Sequence, residues 1–80
     1  MEKIEQTFGI VVREQRHRIG ISQEAFAVKA GIHRTYASSI ERGKVQVSIA
    51  VAFKLAAALE MPLSRLWREV EKRQAAIGSE

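Results

Sequence analysis

Between Ile4 and Ile19 the apolar residues Ile4, Phe8, Val11, Val12 and Ile19 recur at helical spacing, and Gly20 supplies a stop before Ile21. This predicts helix one. Ser22 is a good N-cap for a second helix from Gln23 to Ala30, with Glu24 in the first turn, where the helix dipole favours an acid, and Gly31 as terminator. Ile32 follows as a buried anchor, and about His33 to Arg42 forms helix three, with Ala37 and Ile40 facing inward and Gly43 ending it. After the loop from Lys44 to Val47, Ser48 caps a fourth helix, about Ile49 to Leu59. Its residues Ile49, Val51, Ala52, Phe53, Leu55, Ala56 and Leu59 are apolar on nearly every side, which predicts a central position. Pro62 opens a fifth helix reaching about Ala76, with Leu63, Leu66, Trp67 and Val70 on one stripe, and Gly78 to Glu80 are expected to fray.

No run alternates apolar and polar residues as a half-buried strand would, and no repeat, linker or low-complexity segment interrupts residues 1–80. The chain therefore reads as one all-α domain, a five-helix bundle. A chain of this size buries only about 60 to 65% of its unfolded surface, so pairing with a second copy is a natural supplement to a modest core. The absence of cysteine removes disulfides, thiolate chemistry and cysteine-based zinc sites. No signal-peptide pattern and no apolar run near 18 residues is seen, so a cytoplasmic protein away from the membrane is expected. A net charge of +4 with a pI near 10.0 suits a polyanionic partner, provided the basic residues share a face.

Residues 23–42 supply that face. Two short helices joined by a glycine-containing turn have the form of the DNA-binding helix-turn-helix, whose second helix enters the major groove. The form makes particular demands. Ala27 must be small where the helices cross, Gly31 must accept a left-handed turn, and Phe26, Ala30, Ile32, Ala37 and Ile40 must fix the crossing from inside.

The stretch resembles the phage-repressor-like (Xre-type) helix-turn-helix family, whose SQ…A…G…I-E-R-G framework is matched by Ser22, Gln23, Ala27, Gly31, Ile40, Glu41, Arg42 and Gly43. The resemblance extends to Phe8-Gly9, the Arg13 to Arg16 region, Leu55 to Leu59 and Pro62-Leu63, and it implies a lambda-repressor-like DNA-binding domain. Within that family, IHRTYASSIERGKVQVSI is similar to the controller proteins of restriction-modification systems, through H-R-T-Y followed by I-E-R-G and S-I. Such controllers are small dimers that bind operators near the promoters of their own gene and that of the endonuclease. The implied partners are a double-stranded DNA operator, a second copy of the chain and, for activation, RNA polymerase.

Chemistry assigns the individual roles. Arg34 can donate bidentately to guanine O6 and N7, Thr35 can offer its methyl to thymine and its hydroxyl to a base or phosphate, and Ser38 and Ser39 are short enough for close approach. These four are the expected base readers. Gln23 resembles the family's backbone-anchoring glutamine, set where free helix N–H groups suit a phosphate oxygen. His33 stands at the N-cap of helix three, where it either contacts phosphate or only caps. Tyr36 either packs at the domain edge with its hydroxyl on a phosphate or base, as a backbone contact first of all, or belongs partly to the core. Arg42 and Lys44 flank the following loop as phosphate contacts. The resemblance further implies a structural ion pair between Arg16 and Glu41, and subunit contacts through Leu63, Leu66, Trp67 and Val70. An alternative for that apolar stripe is ordinary core.

Other readings share the fold or replace it. A phage-type repressor or the antitoxin of a toxin-antitoxin pair would look alike and differ in neighbouring genes. A protein-interaction bundle without DNA binding would carry a neutral or acidic helix three, whereas this one bears Arg34 and Arg42 with no acid before Glu41. An enzyme is disfavoured because His17 and His33 are the only histidines and the carboxylates form no paired arrangement, so no metal or cofactor is expected.

Overall fold

Short local signals set the helix ends. The computed structural model describes residues 3–78 as α1 (Ile4–Arg18), α2 (Gln23–Ala30), α3 (Arg34–Glu41), α4 (Ile49–Ala58) and α5 (Leu63–Gly78), with no strand among the described residues. Ser22 Oγ accepts the Ala25 N–H at 3.0 Å and Ser48 Oγ accepts the Val51 N–H at 3.1 Å, so α2 and α4 begin on genuine side-chain caps. At the end of α2, Gly31 adopts φ 70° and ψ 34°, and the Ile32 N–H closes back on the Ala27 carbonyl at 3.0 Å. A residue with a Cβ would pay about 1 kcal/mol or more to hold that left-handed turn. Pro62 lies one position before α5, its carbonyl accepting the Leu66 N–H at 3.2 Å. Gly78, expected to fray, continues α5, while Ser79 and Glu80 lie outside the described residues.

α1 packs on α3 and α5, α2 on α3 and α4, and α4 on α5. The core comprises Phe8, Val11 and Val12 of α1, Phe26 and Ala30 of α2, Ile40 of α3, Leu55 to Leu59 without Ala57 at the end of α4, and Leu66 and Val70 of α5. Ile32 and Tyr36 are half-buried against it, so Tyr36 contributes to the core edge. Helix four departs from the expected central position. Leu55 is fully buried, but Ile49 and Phe53 are 84% and 65% exposed, because α4 packs chiefly on the side facing α2 and α5.

Polar contacts tie the periphery. Thr7, wholly buried on α1, accepts a hydrogen bond from Gln74 Nε2 of α5 at 3.0 Å. Lys29 Nζ sits 2.7 Å from Glu60 Oε2, and this hydrogen bond, with the ammonium charge behind it, holds the Glu60 carboxyl below its ordinary range.

The backbones of α1 and the end of α3 approach closely at Gly9. A Cβ at Gly9 would collide with the Ile40 carbonyl oxygen and lie 2.8 Å from that of Glu41. Glycine is thus required inside α1 even though alanine is the better helix former by about 1 kcal/mol. Gly9→Ala should push α3 away and lower stability by about 1 to 3 kcal/mol, against the direction of helix propensity. Thermal unfolding by circular dichroism checks the sign; a raised Tm would contradict the close approach.

Candidate nucleic-acid interface

α3 has only eight residues, too few to persist alone in water, so its direction is set entirely by what grips it. Ala37 and Ile40 hold one side in the core. Its last residue, Glu41, is gripped by Arg16 of α1: Nε donates to Oε2 at 2.8 Å and Nη2 to Oε1 at 3.0 Å. The third arm of the guanidinium, Nη1, donates to the Ile21 carbonyl at 3.0 Å, in the link between α1 and α2. Both side chains are nearly sealed from solvent, 10% and 3% exposed, where such a bidentate pair is strongly directional.

Gln23 joins the same cluster, its Nε2 donating to Glu41 Oε1 at 3.3 Å. One hydrogen of that amide remains for another acceptor. The start of α2 is thereby fixed beside α3. His33 caps α3, its Nδ1 accepting the Thr35 N–H at 3.1 Å. That bond requires an unprotonated Nδ1, so the proton of the neutral ring sits on Nε2, pointing a donor outward from the cap.

With the inner side pinned, the outward residues are defined. Arg34 and Thr35, the first two residues of α3, are exposed; Ser38 and Ser39, one turn on, are half-buried. Arg42 and Lys44 are exposed beyond the helix end, where the Lys44 N–H donates to the Ser39 carbonyl at 3.0 Å. The side chain of Arg34 reaches back toward α2, with Nη1 3.7 Å from Glu24 Oε2. Neither the Gln23 to Glu41 bond nor the approach of Glu24 to Arg34 was read from the sequence, where nothing in local periodicity relates residues 18 or 10 positions apart on different helices.

The stripe on α5 divides. Leu66 and Val70, expected at a subunit contact, are both 0% exposed within the single chain and present no surface to a partner, because α5 turns them onto α1 and α4. Leu63 is half-buried and Trp67 is 43% exposed, beside a cleft of about 290 Å³ that Ile4, Phe8 and Val47 also line. On α1, Val11 is buried as well, while Ile10 is half-buried. Among the described residues no three histidine, aspartate or glutamate side chains gather as a metal site, and no helix is long and apolar enough to cross a membrane.

This arrangement has known relatives. The helix-turn-helix family pattern matches residues 12–66. The control protein C.MunI of a Mycoplasma species is 40% identical over 73 residues, covering 90% of this chain and 99% of the relative. The control protein C.SmaI of Serratia marcescens is 38% identical over 55 residues, 69% of this chain and 66% of its own. Among solved structures, the restriction-modification controller protein C.AhdI of Aeromonas hydrophila shares 39% identity with a TM-score of 0.75, over 78% of this chain and 94% of that one.

The grip on α3 is testable separately from function. Arg16→Met should cost about 3 to 5 kcal/mol, since it strands a buried carboxylate, while adding Glu41→Leu should recover most of that loss. Urea denaturation of the single and double variants measures both. A double variant no more stable than Arg16→Met alone would show that the charge pair is not what the site requires.

Proposed function

Because the chain belongs to the helix-turn-helix family and, within it, to the control proteins of restriction-modification systems, it is a DNA-binding regulator and not an enzyme, and we propose that it acts as a homodimer on a pseudo-palindromic operator. The observation that carries the reading is the outward pair Arg34 and Thr35 at the start of a helix whose other side is locked by Ala37, Ile40 and Glu41. A rigidly held helix presenting a guanidinium and a hydroxyl is suited to base edges in the major groove. Ser38 and Ser39 follow along the same face for close contacts.

The backbone of the duplex is held around that reader. Gln23, with one amide hydrogen uncommitted, and His33, with its Nε2–H directed outward, each offer a phosphate one donor. Tyr36, half-buried on the same helix, can add its hydroxyl to these contacts, and Arg42 and Lys44 supply salt-sensitive charge beyond the helix. The domain works on cytoplasmic DNA, occupying a promoter to repress and touching RNA polymerase to activate.

The second copy meets α4. Ile49 and Phe53 stand one turn apart as large, strongly exposed apolar side chains on a domain with a modest core, and burying them twice over in a symmetric contact removes that area from water. Leu63 and Trp67, still partly exposed on α5, extend the contact, whereas Leu66 and Val70 belong to the core. Two α3 helices related by the dyad then address half-sites about one DNA turn apart, ~34 Å.

Two substitutions separate reading from holding. Arg34→Ala should abolish preference for the best-bound duplex while leaving weak, salt-dependent binding, a loss of about 1 to 3 kcal/mol of discrimination per half-site. Lys44→Ala should weaken all duplexes alike and lower the salt slope by about one contact per subunit. Fluorescence anisotropy titrations at several salt concentrations measure both; unchanged base preference in Arg34→Ala would overturn the assignment.

Assembly has its own outcome. Phe53→Asp should give a folded monomer, because a carboxylate on an exposed face stays hydrated. Leu66→Asp should unfold the chain, since an unpaired buried charge costs several kcal/mol against a total stability of about 5 to 15. Sedimentation at micromolar concentration with circular dichroism on the same samples distinguishes them, and a persistent dimer in Phe53→Asp would move the interface off α4.

A further inference from the structure

A carboxylate beside a guanidinium on a surface meant for DNA is a cost that needs a return. Glu24, the second residue of α2, places Oε2 3.7 Å from Arg34 Nη1, and the two side chains are 73% and 65% exposed. The pair attracts at a distance longer than a hydrogen bond, so it orients the guanidinium without capturing it. Ser22 caps α2 and an acid in its first turn suits the helix dipole, but neither accounts for the approach of Glu24 to Arg34 on the neighbouring helix. Facing a polyanion, the carboxylate by itself lowers affinity for every sequence.

What it returns depends on where Arg34 goes. The guanidinium carries five N–H donors in a planar fork: one edge satisfies guanine O6 and N7, and the remaining donors can stay with a carboxylate behind it. When no guanine is present, Arg34 turns to a phosphate instead and abandons Glu24, which is left as an unpaired anion among phosphates. Glu24 therefore costs little on the correct duplex and more on every other one. We infer that Glu24 is a specificity-determining residue that positions Arg34 from behind and penalises complexes in which Arg34 does not read guanine. The inference rests on Arg34 being a base reader.

The test is a cycle of four proteins, wild type, Glu24→Gln, Arg34→Ala and the double variant, each titrated against the best-bound duplex and an unrelated duplex of equal length. Glu24→Gln should tighten binding to the unrelated duplex roughly three- to tenfold and to the best-bound duplex by less, so the ratio between them falls. In the Arg34→Ala background the same change should tighten both duplexes by one common factor and leave the ratio alone. Equal tightening of both duplexes in the wild-type background would overturn the role of Glu24 while Arg34→Ala still loses base preference. A ratio that falls equally without Arg34 would overturn it too, because Glu24 would then be touching a base itself. If Arg34→Ala keeps full base preference, the reading of Arg34 falls first and this inference with it.

Discussion

The buried pair between Arg16 and Glu41 is the contact on which the presentation of α3 depends. One guanidinium spends its Nε and Nη2 on the last residue of α3 and its Nη1 on the Ile21 carbonyl, and Gln23 adds a third donor to the same carboxylate. The end of α1, the following link, the start of α2 and the end of α3 thus converge on one ion pair. Desolvating that pair is costly, and four directional bonds offset the cost while fixing angles that apolar packing alone would leave free to slide. Gly9 makes the approach sterically feasible by giving the last carbonyls of α3 room against α1.

From this anchor the function follows by geometry. An eight-residue helix held at its C-terminal end and along its inner side has little freedom at its N-terminal end, where Arg34 and Thr35 emerge. Preorganisation of this kind reduces the ordering that binding must otherwise impose on side chains and helix. On the proposed reading, the charge cluster serves recognition through the position it gives to residues it does not touch. The exposed apolar side of α4, with Ile49 and Phe53, lies on a helix packed against α2 and α5, so a dimer formed there would carry two such readers in a fixed relation.

Much of this was legible in the chain because the signals are local. Ser22, Ser48, Gly31 and Gly43 punctuate the helices within a residue or two of where they end, and the inward pair Ala37 and Ile40 identifies the outward face of α3 by elimination. The apolar stripes were less informative. Helical spacing says which residues share a side but not which of two apolar sides meets a neighbour, so Leu66 and Trp67 read equally as core or contact, and α4 read as central although Ile49 and Phe53 face solvent. The need for Gly9 depends on carbonyls 31 and 32 positions later, and the approach of Glu24 to Arg34 depends on the crossing of two helices. Such relations exist only in the folded chain.

On the proposed function, a pair of locked α3 helices reads DNA sequence. Selection of bound duplexes from a random pool, followed by sequencing, tests it most directly. The expected result is enrichment of two inverted half-sites, each containing a guanine in the major groove within reach of Arg34, with centres about 34 Å apart. Enrichment of a single asymmetric site, or binding that retains no sequence after repeated rounds, would contradict it.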